Sequence, residues 1–239
     1  MLIEHRAYTL RPGNLDAFLT AQTVRGFERV RPIMERLIGY FVTHSGPETQ
    51  VVHLYNFASY DDWTKRLHGL YDIKELEPYF KTVRPLMLAQ ENKFLAPAPI
   101  VELTPRWGNG NNWLPADRPI LGKLGKSATN LVEESTLILT PGALAAYWQA
   151  YREHGLAAGS LATTSLLGCF YSLVGRQHQV VHYRSYADYP ALRAHRDVLA
   201  GNASWREFQR TCAPLVMSAD TKVMEPAPLA PMSPLYEGA

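Results

Sequence analysis

Gln50-Val51-Val52-His53 recurs unchanged as Gln179-Val180-Val181-His182, and ahead of it Leu37-Ile38-Gly39-Tyr40-Phe41 faces Leu166-Leu167-Gly168-Cys169-Phe170. The offset is 129 residues in both cases. It also aligns Leu10-Arg11-Pro12-Gly13 with Leu139-Thr140-Pro141-Gly142, and Pro97-Ala98-Pro99 with Pro226-Ala227-Pro228. Residues 4–99 thus map onto 133–228 without a gap, about a quarter of positions being identical. Solenoid repeats are much shorter, about 20–50 residues, so this chain is one domain plan written twice.

Composition agrees with two globular copies. The 239 residues are 46% hydrophobic and 19% charged, enough for a sizeable core. Basic and acidic residues number 24 and 22, a net charge of +2 with no basic cluster, which argues against a nucleic-acid partner. No apolar run approaches the roughly 20 residues of a membrane helix, and Met1-Leu2-Ile3-Glu4-His5-Arg6 lacks the layout of a signal peptide. We therefore expect a cytoplasmic protein without membrane association. The two cysteines, Cys169 and Cys212, have no CxxC partner and are read as small core residues.

Each copy has the same internal order. Ile3 to Leu10 alternates and is closed by Pro12-Gly13, predicting a strand and a turn. Leu15, Phe18, Leu19, Gln22 and Phe27 carry a helical stripe that Asn14 can cap and Pro32 would end or kink. Leu144, Tyr147, Trp148 and Tyr151 repeat it. Leu37–Thr43 and Val51–Phe57 are rich in β-branched and aromatic residues and predict an antiparallel hairpin around Gly46, as do 166–173 and 179–186 around Gly175. Ser59 with Asp62, and Asp188 in the second copy, mark the next helix start. Helical pattern then runs to about Met87 and Met217. Short last strands, Gln90–Leu95 and Ala219–Met224, complete β-α-β-β-α-β in each half. That is the ferredoxin-like plan.

A sheet covered by helices on one face must cover the other. The expected fold is therefore α+β, with tandem ferredoxin-like repeats packed sheet to sheet as an intramolecular dimeric α/β barrel, a ligand cavity lying between the sheets. The expected domains are 1–99 and 131–228, joined by an irregular linker, 100–130, that Trp107 and Trp113 would pack down, with a tail at 229–239.

The segments Glu4-His5-Arg6-Ala7-Tyr8-Thr9-Leu10-Arg11-Pro12-Gly13, Gly39-Tyr40-Phe41, Gln50-Val51-Val52-His53-Leu54-Tyr55, Val83-Arg84-Pro85 and Gln90-Glu91 together resemble the NIPSNAP family. The resemblance implies a dimeric α/β-barrel fold, in a superfamily that includes cofactorless oxygenases and haem-degrading enzymes. It implies no defined reaction, since fold alone does not assign one. In the second copy Ser135 and Leu137 replace Arg6 and Tyr8, which argues against two equivalent sites.

Strand period places Glu4, Arg6 and Tyr8 on one face of their strand, and His53, Tyr55 and Phe57 on one face of theirs. With Val52 and Leu54 assigned to the helices, Arg6, Tyr8, His53 and Tyr55 are expected in the inter-sheet cavity. His53 is the candidate base, with Arg6 and Tyr8 orienting a substrate. Tyr55, Phe57, His182, Arg184, Glu4 and Glu91 are candidates for substrate binding. Glu4, Arg6 and Glu91 equally suit a buried ion-pair network. No HxH or Cys-rich spacing supports a metal, and no Walker loop, dinucleotide turn or serine elbow is present. No cofactor is expected. Two functional readings stand: a small, partly apolar or aromatic molecule bound, and turned over, by a cofactorless oxygenase or isomerase; or a non-catalytic scaffold acting through protein contacts. Homo-oligomerisation through helix faces or strand edges is a further expectation.

Overall fold

The computed structural model describes residues 1–104 and 130–232. Most of the expected linker, with Trp107 and Trp113, lies outside the described residues. Two compact units emerge. Among the described residues the first contains Met1–Phe94 and 225–232, and the second contains 95–104 and 130–224. Each unit thus takes its last core-filling segment from beyond its own repeat. Ala227, Leu229 and Met232 pack in the first core, and Ala98, Ile100 and Leu103 in the second.

In the first unit β1 (Leu2–Leu10) is followed by α1 (Leu15–Arg25), the single turn α2 (Arg31–Met34), β2 (Leu37–Ser45), β3 (Gln50–Phe57), α3 (Tyr60–Tyr71), α4 (Glu77–Val83) and β4 (Met87–Pro97). β3 is central, antiparallel to β1 and β2, with Arg6 opposite His53 and Tyr40 opposite His53 on the other side. β4 lies beside β1, where Asn92 Nδ2 donates to Glu4 Oε1 at 2.5 Å.

The second unit repeats the plan with β5 (Leu131–Leu139), α5 (Leu144–Ala150), the single turn α6 (Ser160–Thr163), β6 (Leu166–Val174), β7 (Gln179–Tyr186), α7 (Tyr189–Gly201), α8 (Ala203–Cys212) and β8 (Val216–Pro226). β7 lies between β5 and β6, and β8 pairs with β5. Even the irregularity is duplicated: register shifts between Leu37 and Gly39, and between Leu166 and Gly168. The β-α-β-β-α-β order predicted for each half is therefore present.

Local chemistry explains most boundaries. The Ser59 hydroxyl accepts from Asp62 N at 3.2 Å and the Asp188 carboxylate from Ala191 N at 2.8 Å. Caps of this kind are worth about 1 kcal/mol each. Asn14 behaves differently, since its side chain makes no capping bond. Nor does Pro32 end α1. Gly26 does so with φ +75°, and Pro32 instead opens α2, where a missing N–H costs nothing. β4 and β8 begin earlier than expected, directly after the turns at Arg84–Leu86 and Ala213–Leu215, because an apolar pair such as Met87-Leu88 carries no period of its own.

Candidate functional site

Both faces of the first sheet are buried. Ile3, Ala7, Val52 and Leu54, on one face, are at most 4% exposed. Leu10, Val51, Tyr55 and Phe57, on the other, pack with Phe18 of α1 and Val83 of α4. Arg6, Tyr8, His53 and Tyr55 consequently point toward the helices of their own unit. This reverses the face assignment made above. Apolarity of Val52 and Leu54 could not decide it, because each face of the sheet is equally removed from water.

The four side chains do come together, in a cavity of about 130 Å³ between sheet and helices. Phe18 and Gln22 of α1 line it, with Tyr79 and Phe80 of α4, Gln90 of β4, Tyr40 of β2 and Met232. His53 is its hub. The imidazole centroid lies 3.7 Å from that of Tyr40 and 4.7 Å from that of Tyr8. Tyr55 Oη stands 3.5 Å from Nδ1, a marginal hydrogen-bond distance, while the buried Nε2 has no protein partner among the described residues.

Burial holds His53 well below the ordinary histidine pKa, and the Arg6 charge adds to the effect. Burial likewise raises Tyr40 and Tyr55, although Arg6 partly opposes it at Tyr55. At neutral pH the site therefore holds a neutral imidazole among protonated phenols. Arg6 is fixed from behind. Its guanidinium forks onto Glu4 with bonds of 2.8, 2.9 and 3.2 Å and sits 5.1 Å over the Tyr55 ring. Burial alone would lower the Arg6 pKa, but Tyr8 and Glu4 raise it on balance, so it stays cationic. Arg25 and Arg84 also line the cavity, Arg25 resting 4.8 Å over Tyr79.

The remaining candidates fall elsewhere. Phe57 stacks on Tyr55 at 6.0 Å and fills core. Glu91 is exposed, since strand alternation turns its neighbour Asn92 toward Glu4 in its place. Counting by two from Gln90 would have found Asn92.

His182 and Arg184 line a larger cavity of about 610 Å³ within the second unit. The strand position of Tyr40 is here Cys169, and those of Phe18 and Gln22 on the helix are Tyr147 and Tyr151. Hydroxylated rings thus reach the histidine from the helix. Tyr147 Oη stands 3.4 Å from His182 Nε2, and the Tyr151 ring stacks on the imidazole at 6.0 Å. A π-helical turn, Tyr151–Gly155, continues α5 and carries Tyr151. Burial pushes His182 down to about 3, helped by Arg184, and pushes the Cys212 thiol up to about 12. Both cysteines are buried and unlinked. Among the described residues no group of three or more His, Cys, Asp or Glu could hold a metal ion, and no helix is long and apolar enough to cross a membrane.

Comparison with known proteins places this geometry. An uncharacterized NIPSNAP-like domain protein from Burkholderia xenovorans shares 35% identity over 41% of this chain and 86% of its own, with a TM-score of 0.39. Its extent is that of one repeat. Over nearly the whole chain the similarity is one of fold alone: an anthrone oxidase-like protein at 12% identity (95% and 91% covered, TM-score 0.55) and a monooxygenase candidate from Lactobacillus acidophilus at 10% (94% and 93%, TM-score 0.57). Among curated proteins none matches. The NIPSNAP family profile matches twice, at residues 3–102 and 132–231, the two segments again 129 residues apart. This chain therefore belongs to the NIPSNAP family.

Proposed function

We propose that the first unit binds a small, partly aromatic molecule in the cavity around His53 and transfers a proton from it without a cofactor. The observation that carries this reading is that His53 lines a cavity and its buried Nε2 has no hydrogen-bond partner among the described residues. A cavity of about 130 Å³ suits a single ring, given that an engineered apolar cavity of about 150 Å³ takes up benzene. Aromatic walls supply the contact area. Arg6, Arg25 and Arg84 favour an occupant that is anionic or becomes so.

With its proton on Nδ1 toward Tyr55, His53 presents the Nε2 lone pair to an acidic C–H beside a carbonyl. The proton passes to Nε2 and the C–H electron pair moves onto the carbonyl oxygen as an enolate, toward Tyr8, Tyr40 or Arg6. Return of the proton to a different carbon completes an isomerisation. Capture of the enolate carbon by dioxygen, as oxidant, would form a C–O bond to a peroxide anion that takes the proton back from His53 Nε2 and leaves as the hydroperoxide. Because burial makes His53 a weak base, the negative charge that develops on the enolate beside it is what stabilises the imidazolium.

Solvent deuterium uptake at the α-carbon of one-ring aryl ketones tests this. The folded protein should accelerate uptake, and His53→Gln should lower the rate about 100-fold or more while binding persists. Equal rates for His53→Gln and the parent chain would abandon the catalytic reading.

A further inference from the structure

The second unit holds a buried cation that is paired quite differently from Arg6. Arg184 is 6% exposed, and its Nη2 donates to the Ala162 carbonyl at 3.0 Å. Among the described residues the rest of the guanidinium finds no acceptor except the nearby Tyr151 hydroxyl. No carboxylate bonds Arg184 among the described residues. Glu133, directly opposite on β5, is engaged by Arg196. Of the charged side chains lining this cavity, Arg184 and Arg196 are positive and Glu133 negative, so 2 − 1 leaves one positive charge. Leu137, Leu199, Trp205, Phe208 and Val216 form an apolar stretch of wall, and Ser135, His195, Gln209 and Thr221 are among the polar residues of the rest. A buried guanidinium without a carboxylate partner, beside a chamber with an apolar stretch of wall, suits a carboxylate head on an apolar body. A volume of about 610 Å³ falls within the roughly 300–1,000 Å³ of small-molecule sites.

We propose that the second unit is a separate binding site for an apolar carboxylate, its head held by Arg184 and its body by the Trp205–Phe208 wall. The site stands apart from any turnover at His53, because none of its residues lines the first cavity.

Calorimetric titration with decanoate and with 1-decanol decides it. Decanoate should bind the full chain at least tenfold more tightly than the alcohol. Arg184→Met should abolish that preference, Arg184→Lys should retain part of it, and Arg31→Met, at an exposed cation outside both cavities, should leave it intact. Ala200 lies exposed on the cavity rim, so Ala200→Trp should keep the fold and weaken decanoate about tenfold; it decides the matter if Arg184→Met does not fold. Absence of decanoate binding, equal affinity for acid and alcohol, or loss of binding on Arg31→Met in place of Arg184→Met or Ala200→Trp would overturn the proposal.

Discussion

His53 and His182 occupy the same position of the same strand plan, yet their companions come from opposite directions. Around His53 the phenols stand on strands, at Tyr8, Tyr40 and Tyr55, and the facing helix offers Phe18 and Gln22. Around His182 they stand on the helix, at Tyr147 and Tyr151, and the strands offer Leu137, Cys169 and Arg184. Ring volume has moved from sheet to helix with the imidazole left in place. The exchange goes with a change in cavity volume, about 130 against about 610 Å³, and in the polar groups that reach it, which is how one frame can carry two different sites.

The contrast is sharpest in the ion pairs. Glu4 and Arg6 neutralise each other out of water, while Glu133, at the position of Glu4, bonds an Arg196 side chain that is 49% exposed. Glu4→Gln should cost about 3–5 kcal/mol in urea unfolding, because it strands a buried cation. Glu133→Gln should cost under about 1 kcal/mol. Equal costs would break the comparison.

Acid should treat the two histidines alike. Each has a folded pKa below the ordinary 6.5, so the unfolded chain takes up protons first as pH falls. Stability from this source is complete above about pH 6.5 and declines below it. The slope is about 1.4 kcal/mol per pH unit for each histidine, and for His182 it persists to about pH 3. Between pH 6.5 and 4.5 that amounts to about 2 kcal/mol for His182. His53→Phe or His182→Phe should each remove one share of the slope, measured from urea midpoints across that range. A slope unchanged by both would mean the rings are protonated in the native state.

A glycine is retained at one aligned position, 26 and 155, for two different reasons. Gly26 adopts φ +75°, with open space around it. Gly155 is helical, and a Cβ there would meet Tyr151 Cδ1 at 2.6 Å. Gly155→Ala should cost about 1–3 kcal/mol by overpacking and should move the Tyr151 ring, weakening decanoate binding as well. Gly26→Ala should cost a similar or smaller amount through backbone strain alone and leave ligand affinity unchanged. Thermal unfolding paired with titration separates the two.

The repeat, the strand order and the caps at Ser59 and Asp188 were legible in the sequence, because they rest on spacing and on side chains that act within a few residues. Which face of the sheet meets the helices was not. Val52 and His53 are both buried, and alternation sorts side chains into two sets without saying where either set points. Tyr147 and Tyr151 could be read as a core stripe, but their approach to His182 depends on a π-turn that no local residue pattern announces. The helix-side location of both cavities was hidden for the same reason.

The exchange of terminal segments has a consequence for synthesis. A ribosome delivers Leu95 to Met224, the bulk of the second core, before it delivers Ala227, Leu229 and Met232, which belong to the first. Although domains usually fold in the order in which they emerge, here the unit that begins the chain is the last to be completed. Until then its core, and the His53 cavity that Met232 helps to line, remain unfinished. A nascent chain halted near residue 224 would therefore carry a finished second chamber and an open first one.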